Sequence, residues 1–175
     1  MRKFFILNFI LLFFPLICAA QIAPKAVIEN ISAPTVIGES DLKVWGLKVY
    51  HIALWGENKK FSYDEKFAIQ IHYNMNFSKE DLAKRSIDEI KRLHKLSPQE
   101  EESYYNKLKE VFVSVKKGDE KVALFNPKSG VILFRNNEVV GKISDPKLAR
   151  LFVDIWLDER GSYPKVTGKI LGKNN

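Results

Sequence analysis

Cysteine is nearly absent from this sequence: the only one, Cys18, lies close to the N-terminus. A disulfide within one chain is therefore excluded, and so is any metal site built from cysteine pairs. With the N-terminal segment set aside no thiol nucleophile remains, and stability must come from packing. Histidine is scarce too. His51, His72 and His94 fall on separate segments, so a metal triad would need the fold to gather all three, and no metal is expected. A Walker loop, a G-x-S-x-G elbow, an H-E-x-x-H helix and a dinucleotide fingerprint are all missing. Neither a repeat nor a low-complexity tract is present, and no catalytic residue can be named from motifs.

A bilayer-spanning run is also wanting. Phe4 to Ile17 is almost wholly apolar but is interrupted by Asn8 and Pro15, and it falls short of the roughly 20 residues a transmembrane helix needs. Arg2 and Lys3 precede it, and Cys18-Ala19-Ala20 supplies small residues after it. That order reads as a secretory signal at 1–20, cleaved after Ala20 to leave Gln21 first. Ile17 directly before Cys18 argues against lipid attachment at that cysteine. The expected location is periplasmic or secreted, with no integral membrane span after cleavage. About 155 residues then remain, the size of one domain with a real core. Without Arg2 and Lys3 the chain carries 26 Lys+Arg against 21 Asp+Glu, a net +5. The lysines are scattered among acids with no arginine-rich stripe, so the excess reads as a solvated surface, and no nucleic-acid partner is expected.

Residues 21–35 read as an irregular lead-in, with a short extended piece at Ala26 to Glu29 and with Pro24 and Pro34 opposing a helix. Leu42 to Trp55 is apolar on both parities and reads as a central strand, or a strand pair, bent at Gly46. Lys66 to Asn74 alternates Phe67, Ile69, Ile71 and Tyr73 against Ala68, Gln70 and His72, a half-buried strand. Two helices follow. Ser78 caps the first, whose inner face is Ala83, Ile87, Ile90 and His94 and whose wetter side pairs Asp81–Arg85, Arg85–Glu89 and Asp88–Arg92. Ser97-Pro98-Gln99-Glu100 opens the second with a capping box. A meander comes next: Lys121 to Asn126, Val131 to Arg135, and Glu138 to Ile143 across an Asn136-Asn137 turn. Asp145-Pro146 starts a helix striped with Leu148, Leu151, Phe152, Ile155 and Trp156, and a short helix spans Tyr163 to Leu171. This order predicts an α+β fold, an antiparallel sheet with helices layered on one face.

Two sets of residues stand out. Arg85 and Glu89 sit at the edge of an amphipathic helix. They read either as a surface ion pair or, with Arg85 at the rim of an apolar cleft, as a clamp for a carboxylate that fits its planar fork of donors. Trp45, Tyr50, Trp55, Tyr73 and Trp156 read either as core or as the lining of a pocket for a lipophile.

Several local signatures resemble the chalcone isomerase-like family, in particular its exported bacterial branch. They are Leu47-Lys48-Val49-Tyr50 followed by Ala53-Leu54-Trp55; Phe67-Ala68-Ile69 with Tyr73; and Leu82-Ala83-Lys84-Arg85-Ser86 with Glu89. Lys117-Gly118-Asp119, Asp145-Pro146, Ile155-Trp156-Leu157-Asp158, Pro164 and Leu171-Gly172 complete the set, and together these span about 36–172. The resemblance implies an open-faced β-sandwich with a cleft between sheet and helices. It also implies one of two activities, ring closure of chalcones or fatty-acid binding without catalysis, neither needing a cofactor. The isomerase's polar groups do not carry over. Its threonine falls at Gly46, its upstream arginine has only Lys43 nearby, its helix tyrosine and asparagine fall near Leu82 and Glu89, and its late hydroxyl near Ala149. A site that stabilises an enolate needs aimed donors.

The expectation is therefore an exported, non-catalytic protein holding a lipophilic small molecule such as a fatty acid. The candidate ligand-binding residues are Arg85, Glu89, Tyr50, Lys48 and Trp45, with Arg85 or Lys48 meeting the head group. Two alternatives stay open: a structural or partner-binding domain with a closed cleft, and an isomerase or lyase using Tyr50, Glu89 or His51 as acid and base.

Overall fold

The computed structural model describes residues 22–173, so the expected signal segment lies outside the described residues. The chain runs α1 (Lys25–Ile28), β1 (Thr35–Val44), β2 (Leu47–Gly56), β3 (Phe67–Tyr73), α2 (Lys79–Leu93), α3 (Pro98–Val111), β4 (Glu120–Asn126), β5 (Gly130–Arg135), β6 (Glu138–Ile143), α4 (Pro146–Leu157) and α5 (Pro164–Ile170). All six strands form one antiparallel sheet in sequence order. The long helices start where their capping residues stand. Ser78 accepts from the Asp81 N–H, Ser97 and Glu100 close a full capping box, and Asp145 accepts from the N–H groups of Lys147 and Leu148.

Strand alternation splits the apolar residues into two cores. Ile52, Leu54, Phe67, Ile69, Phe125 and Leu133 face the layer made by α2, α3 and α4, meeting Ile87, Ile90, Leu108 and Phe152. Ala53, Trp55, Ala68, Val122, Leu124 and Phe134 face the other way and are covered by Ala26, Val27 and Ile31. That cover is a helix, not the extended piece expected at Ala26 to Glu29. Pro24 occupies the N-cap position, where a missing N–H breaks no intrahelical bond.

The apolar stretch around Gly46 resolves into two strands joined by a tight turn, with Trp45 at φ 48° and Gly46 at φ 81°. Positive φ at both central residues is the condition for the primed hairpin turns that match strand twist. Near this turn Leu42 pairs with Tyr50 but Lys43 pairs with Lys48, leaving Val49 as an extra residue. Such a bulge re-aims the side chains beyond it. Against β1 lies α5, so close that a Cβ on Gly38 would meet the Lys169 carbonyl oxygen at 2.1 Å.

Candidate functional site

The β1–β2 hairpin overhangs the rest of the sheet, because β3 begins to pair with β2 only at Tyr50, opposite Tyr73. Under the overhang a cleft of about 620 Å³ opens between the hairpin, α2, the end of α4 and the start of α5. That volume lies inside the range of about 300–1,000 Å³ typical of small-molecule sites. Leu42, Val44, Leu47 and Val49 line the hairpin side, Leu82, Arg85, Ser86 and Glu89 the α2 side, and Ile155, Trp156, Val166 and Thr167 the far wall. Tyr50 and Tyr73 also line the cleft, their rings meeting edge to face at 6.1 Å. Val49 and Tyr50 are consecutive yet both face the cleft, a consequence of the bulge.

Tyr50 Oη accepts a hydrogen bond from Trp156 Nε1 at 3.1 Å. Burial raises the pKa of the Tyr50 phenol, against the lowering effect of that bond. Burial also raises that of Tyr73, followed by its neighbour Tyr50. Both rings are therefore neutral near physiological pH. A second void of about 60 Å³, lined by Lys121, Phe112 and Phe152, shares Tyr73, Leu82, Ser86 and Trp156 with the main cleft. Lys121 Nζ donates to the Val113 carbonyl at 2.8 Å and lies 5.3 Å from the Phe112 ring centre. Burial, with Arg135 nearby, pushes its pKa down to about 8.

Of the residues singled out from sequence, Arg85, Glu89, Tyr50 and Trp45 all line the cleft. The ion pair expected between Arg85 and Glu89 does not form. Glu89 instead accepts from Arg92 Nη2 at 2.9 Å, from the Ser162 N–H at 2.8 Å and from Ser162 Oγ at 2.6 Å. Partial burial pushes the Glu89 pKa up, but these bonds outweigh it and hold the carboxyl below its usual value. Glu89 thereby ties α2 to the α4–α5 loop and fixes one wall of the cleft. Arg92 also donates to the Arg160 carbonyl. Arg85 is exposed and has no carboxylate within 4 Å among the described residues, which leaves its donors free.

Lys48 is not at the cleft. The bulge turns it to the opposite face, where Nζ sits 2.8 Å from Asp41 Oδ1. Trp55 likewise faces away, its Nε1 donating to Gln70 Oε1 at 2.8 Å in the reverse core. His51 also bonds Asp41 on that face, at 2.8 Å, and cannot act with Tyr50 or Glu89. Although His51 and His72 are direct cross-strand partners, each turns to a carboxylate, His72 to Glu120 at 3.1 Å. Among the described residues no three of His, Cys, Asp and Glu gather closely enough to hold a metal, and no helix is long and apolar enough to cross a membrane. Sequence reasoning missed Lys121 and the Glu89–Ser162 tie. Lys121 carried a signal, since it shares strand parity with buried Ala123 and Phe125. The tie spans 73 residues and leaves no local pattern.

Comparison with known proteins adds to this geometry. No curated protein matches the sequence. Among solved structures, a fatty-acid binding protein of Arabidopsis thaliana superposes with a TM-score of 0.62, covering 87% of this chain and 90% of its own at 11% identity. At that identity the likeness concerns the fold, an open antiparallel sheet with helices layered on it. The sequence profile described as chalcone isomerase-like matches residues 43–172. The chain belongs to the chalcone isomerase-like family.

Proposed function

We propose that this protein is exported and binds a lipophilic small molecule with an acidic head, such as a fatty acid, without transforming it. The observation that carries the reading is the cleft: about 620 Å³, mostly apolar, with the exposed guanidinium of Arg85 in its wall and no carboxylate on it. An apolar chain would lie against Leu42, Val44, Leu82 and Ile155, while Arg85 offers a paired donor fork to a carboxylate. The solved relative that binds fatty acids supports the ligand class. Acid and base chemistry finds little support. Glu89 is ionised and fully committed to Arg92 and Ser162, Tyr50 accepts from Trp156, and His51 lies on the other face. The signal pattern at 1–20 supports export.

The test is native mass spectrometry on the protein as cells accumulate it, followed by organic extraction. A chain starting at Gln21, with a bound mass that extracts as a fatty acid, is the expected result. Arg85→Ala should then weaken fatty-acid binding about tenfold or more, the size of one charge-assisted hydrogen bond. An apo mass that stays apo after incubation with fatty acids would sink the reading. Unchanged affinity in Arg85→Ala would remove the clamp alone.

A further inference from the structure

The β1–β2 hairpin ends in a residue its geometry does not favour. Trp45 stands at φ 48°, a left-handed conformation that is an outlier for a bulky side chain and suits Asn or Gly. It gains no packing there, since 97% of its surface is exposed. A local conflict with no compensating contact marks a position held for function.

The exposure around it is not scattered. Four of the seven large apolar side chains that the described residues expose are Trp45 at 97%, Leu47 at 65%, Met75 at 40% and Tyr163 at 43%, and all four line the cleft. Cations stand close by in the chain, those at the turn on the face away from the cleft. Lys43 and Lys48 flank the turn, and Lys116 and Lys117 stand beside the Met75 loop, where the Lys117 N–H donates to Asn76 Oδ1 at 2.7 Å. Lys48 is paired with Asp41, whereas Lys43, Lys116 and Lys117 form no ion pair among the described residues. Asp119, close to both in the chain, accepts from the Lys116 N–H and from Asn136.

We propose that the Trp45–Leu47 hairpin tip and the Met75 loop dock on an anionic lipid bilayer, with the cleft mouth facing the membrane. The shape favours a bilayer over a protein. A stable protein interface needs a patch of about 800 Å² per partner, which a two-residue tip with two flanking side chains does not offer. A protruding tryptophan suits the headgroup region, where its amphipathic ring is preferred, and nearby lysines are drawn to acidic lipid. What the docking delivers rests on the lipophile-binding reading: an acyl chain would pass from bilayer to cleft without crossing water. The docking itself stands on the tip.

The experiment takes the purified protein in the form cells accumulate and sediments it with vesicles of phosphatidylcholine alone or mixed with phosphatidylglycerol. Fatty-acid binding in vesicle-free solution is measured alongside. The parent should sediment several-fold more with the acidic vesicles, decreasingly as salt is raised, and brominated acyl chains should quench its tryptophan emission. Trp45→Asn, which suits the turn and so preserves the fold, should lower vesicle binding about tenfold. Lys116→Glu with Lys117→Glu should remove the preference for acidic lipid while leaving fatty-acid binding in solution within about twofold. Docking is overturned if the parent ignores both vesicles or if Trp45→Asn binds as the parent does. It is also overturned if the parent is a dimer that Trp45→Asn dissolves, which would make the tip a contact between two copies. Fatty-acid binding without vesicle binding ends the docking proposal and leaves the function standing; vesicle binding without fatty-acid binding does the reverse.

Discussion

The two faces of the sheet, built from the same strands, end in opposite chemical states. On the reverse face the polar groups satisfy one another. Trp55 donates to Gln70, Gln70 donates to Glu120 at 2.7 Å and meets His72 at 2.8 Å, and Asp41 takes both His51 and Lys48. On the cleft face Tyr73 makes no side-chain hydrogen bond, Arg85 has no carboxylate, and Lys121 has only a carbonyl, among the described residues. A closed network rigidifies and specifies a core. Groups left without partners beside an open cleft are positioned for something that is not part of the chain. The reverse face is a closed polar network, and the cleft face is where polar side chains stand without protein partners.

The largest break in this contrast should come from Gln70→Ala. Gln70 is buried at the hub of the reverse network, and its removal leaves the Trp55 N–H without an acceptor and opens a cavity. The expected loss is about 2–4 kcal/mol, read as a lower urea midpoint at unchanged slope. Adding Trp55→Phe to Gln70→Leu should recover much of it, because an apolar pair leaves little to satisfy. A loss no larger than that of an ordinary surface substitution would mean that water already serves the network.

This contrast was only partly legible in the sequence, for physical reasons. Local chemistry was plain. The caps at Ser78, Ser97 and Asp145, the Asn136-Asn137 turn and the alternation in Phe67 to Tyr73 all act within a few residues, so helices, meander and sheet followed. The cleft was hinted at by Arg85, Tyr50 and the aromatic set. What stayed hidden depends on register and distant contact. One extra residue at Val49 sends Lys48 to the reverse face, and period-two counting cannot reveal a bulge. The partner of Glu89 was sought four residues away at Arg85, but it lies three away at Arg92 and again at Ser162 across the cleft wall. The proline argument against a helix in the lead-in overlooked that Pro24 precedes the helix rather than interrupting it.

Lys121 gives the next largest effect, and it is a pH effect. Its folded pKa of about 8 lies below the ordinary lysine value of 10.5, so between these values the unfolded chain holds a proton that the folded chain has released. Stability should therefore rise as pH climbs through that window; the burial cost is present in full below it and absent above. Lys121→Met should be more stable than the parent near neutrality by about 1–2 kcal/mol, after discounting for partial exposure and the lost bond to Val113. The gap should narrow as pH climbs from about 8 toward 10.5, while tyrosine titration, common to both proteins, cancels in the difference. Denaturant midpoints at both ends of the window decide it, and parallel profiles would refute the assignment.

The two hairpins at this end of the sheet sharpen the comparison further. Asn136 and Asn137 adopt positive φ at 49° and 70°, which asparagine tolerates, and Asn137 accepts from the Ala26 N–H to hold α1 on the reverse face. The cleft-side turn asks the same conformation of Trp45. Trp45→Asn should therefore stabilise the fold, by about 0.5–1 kcal/mol, visible as a raised melting temperature. A destabilised variant would mean that Trp45 packs in solution and that the turn is not where the cost lies.

The smallest change should separate partnered from unpartnered groups within the cleft most cleanly. Tyr73→Phe removes a hydroxyl that lines the cleft and bonds to no side chain or backbone group among the described residues, while the ring keeps its contacts with Tyr50 and Phe77. Deleting a polar atom with no partner removes no hydrogen bond and spares a desolvation cost, so stability should move by less than about 0.5 kcal/mol. Tyr50→Phe differs from it by one bond, because Trp156 Nε1 loses its acceptor at 3.1 Å. That variant should cost about 1 kcal/mol more. A Tyr73→Phe cost as large as that of Tyr50→Phe would show that the Tyr73 hydroxyl is already satisfied by water in the cleft.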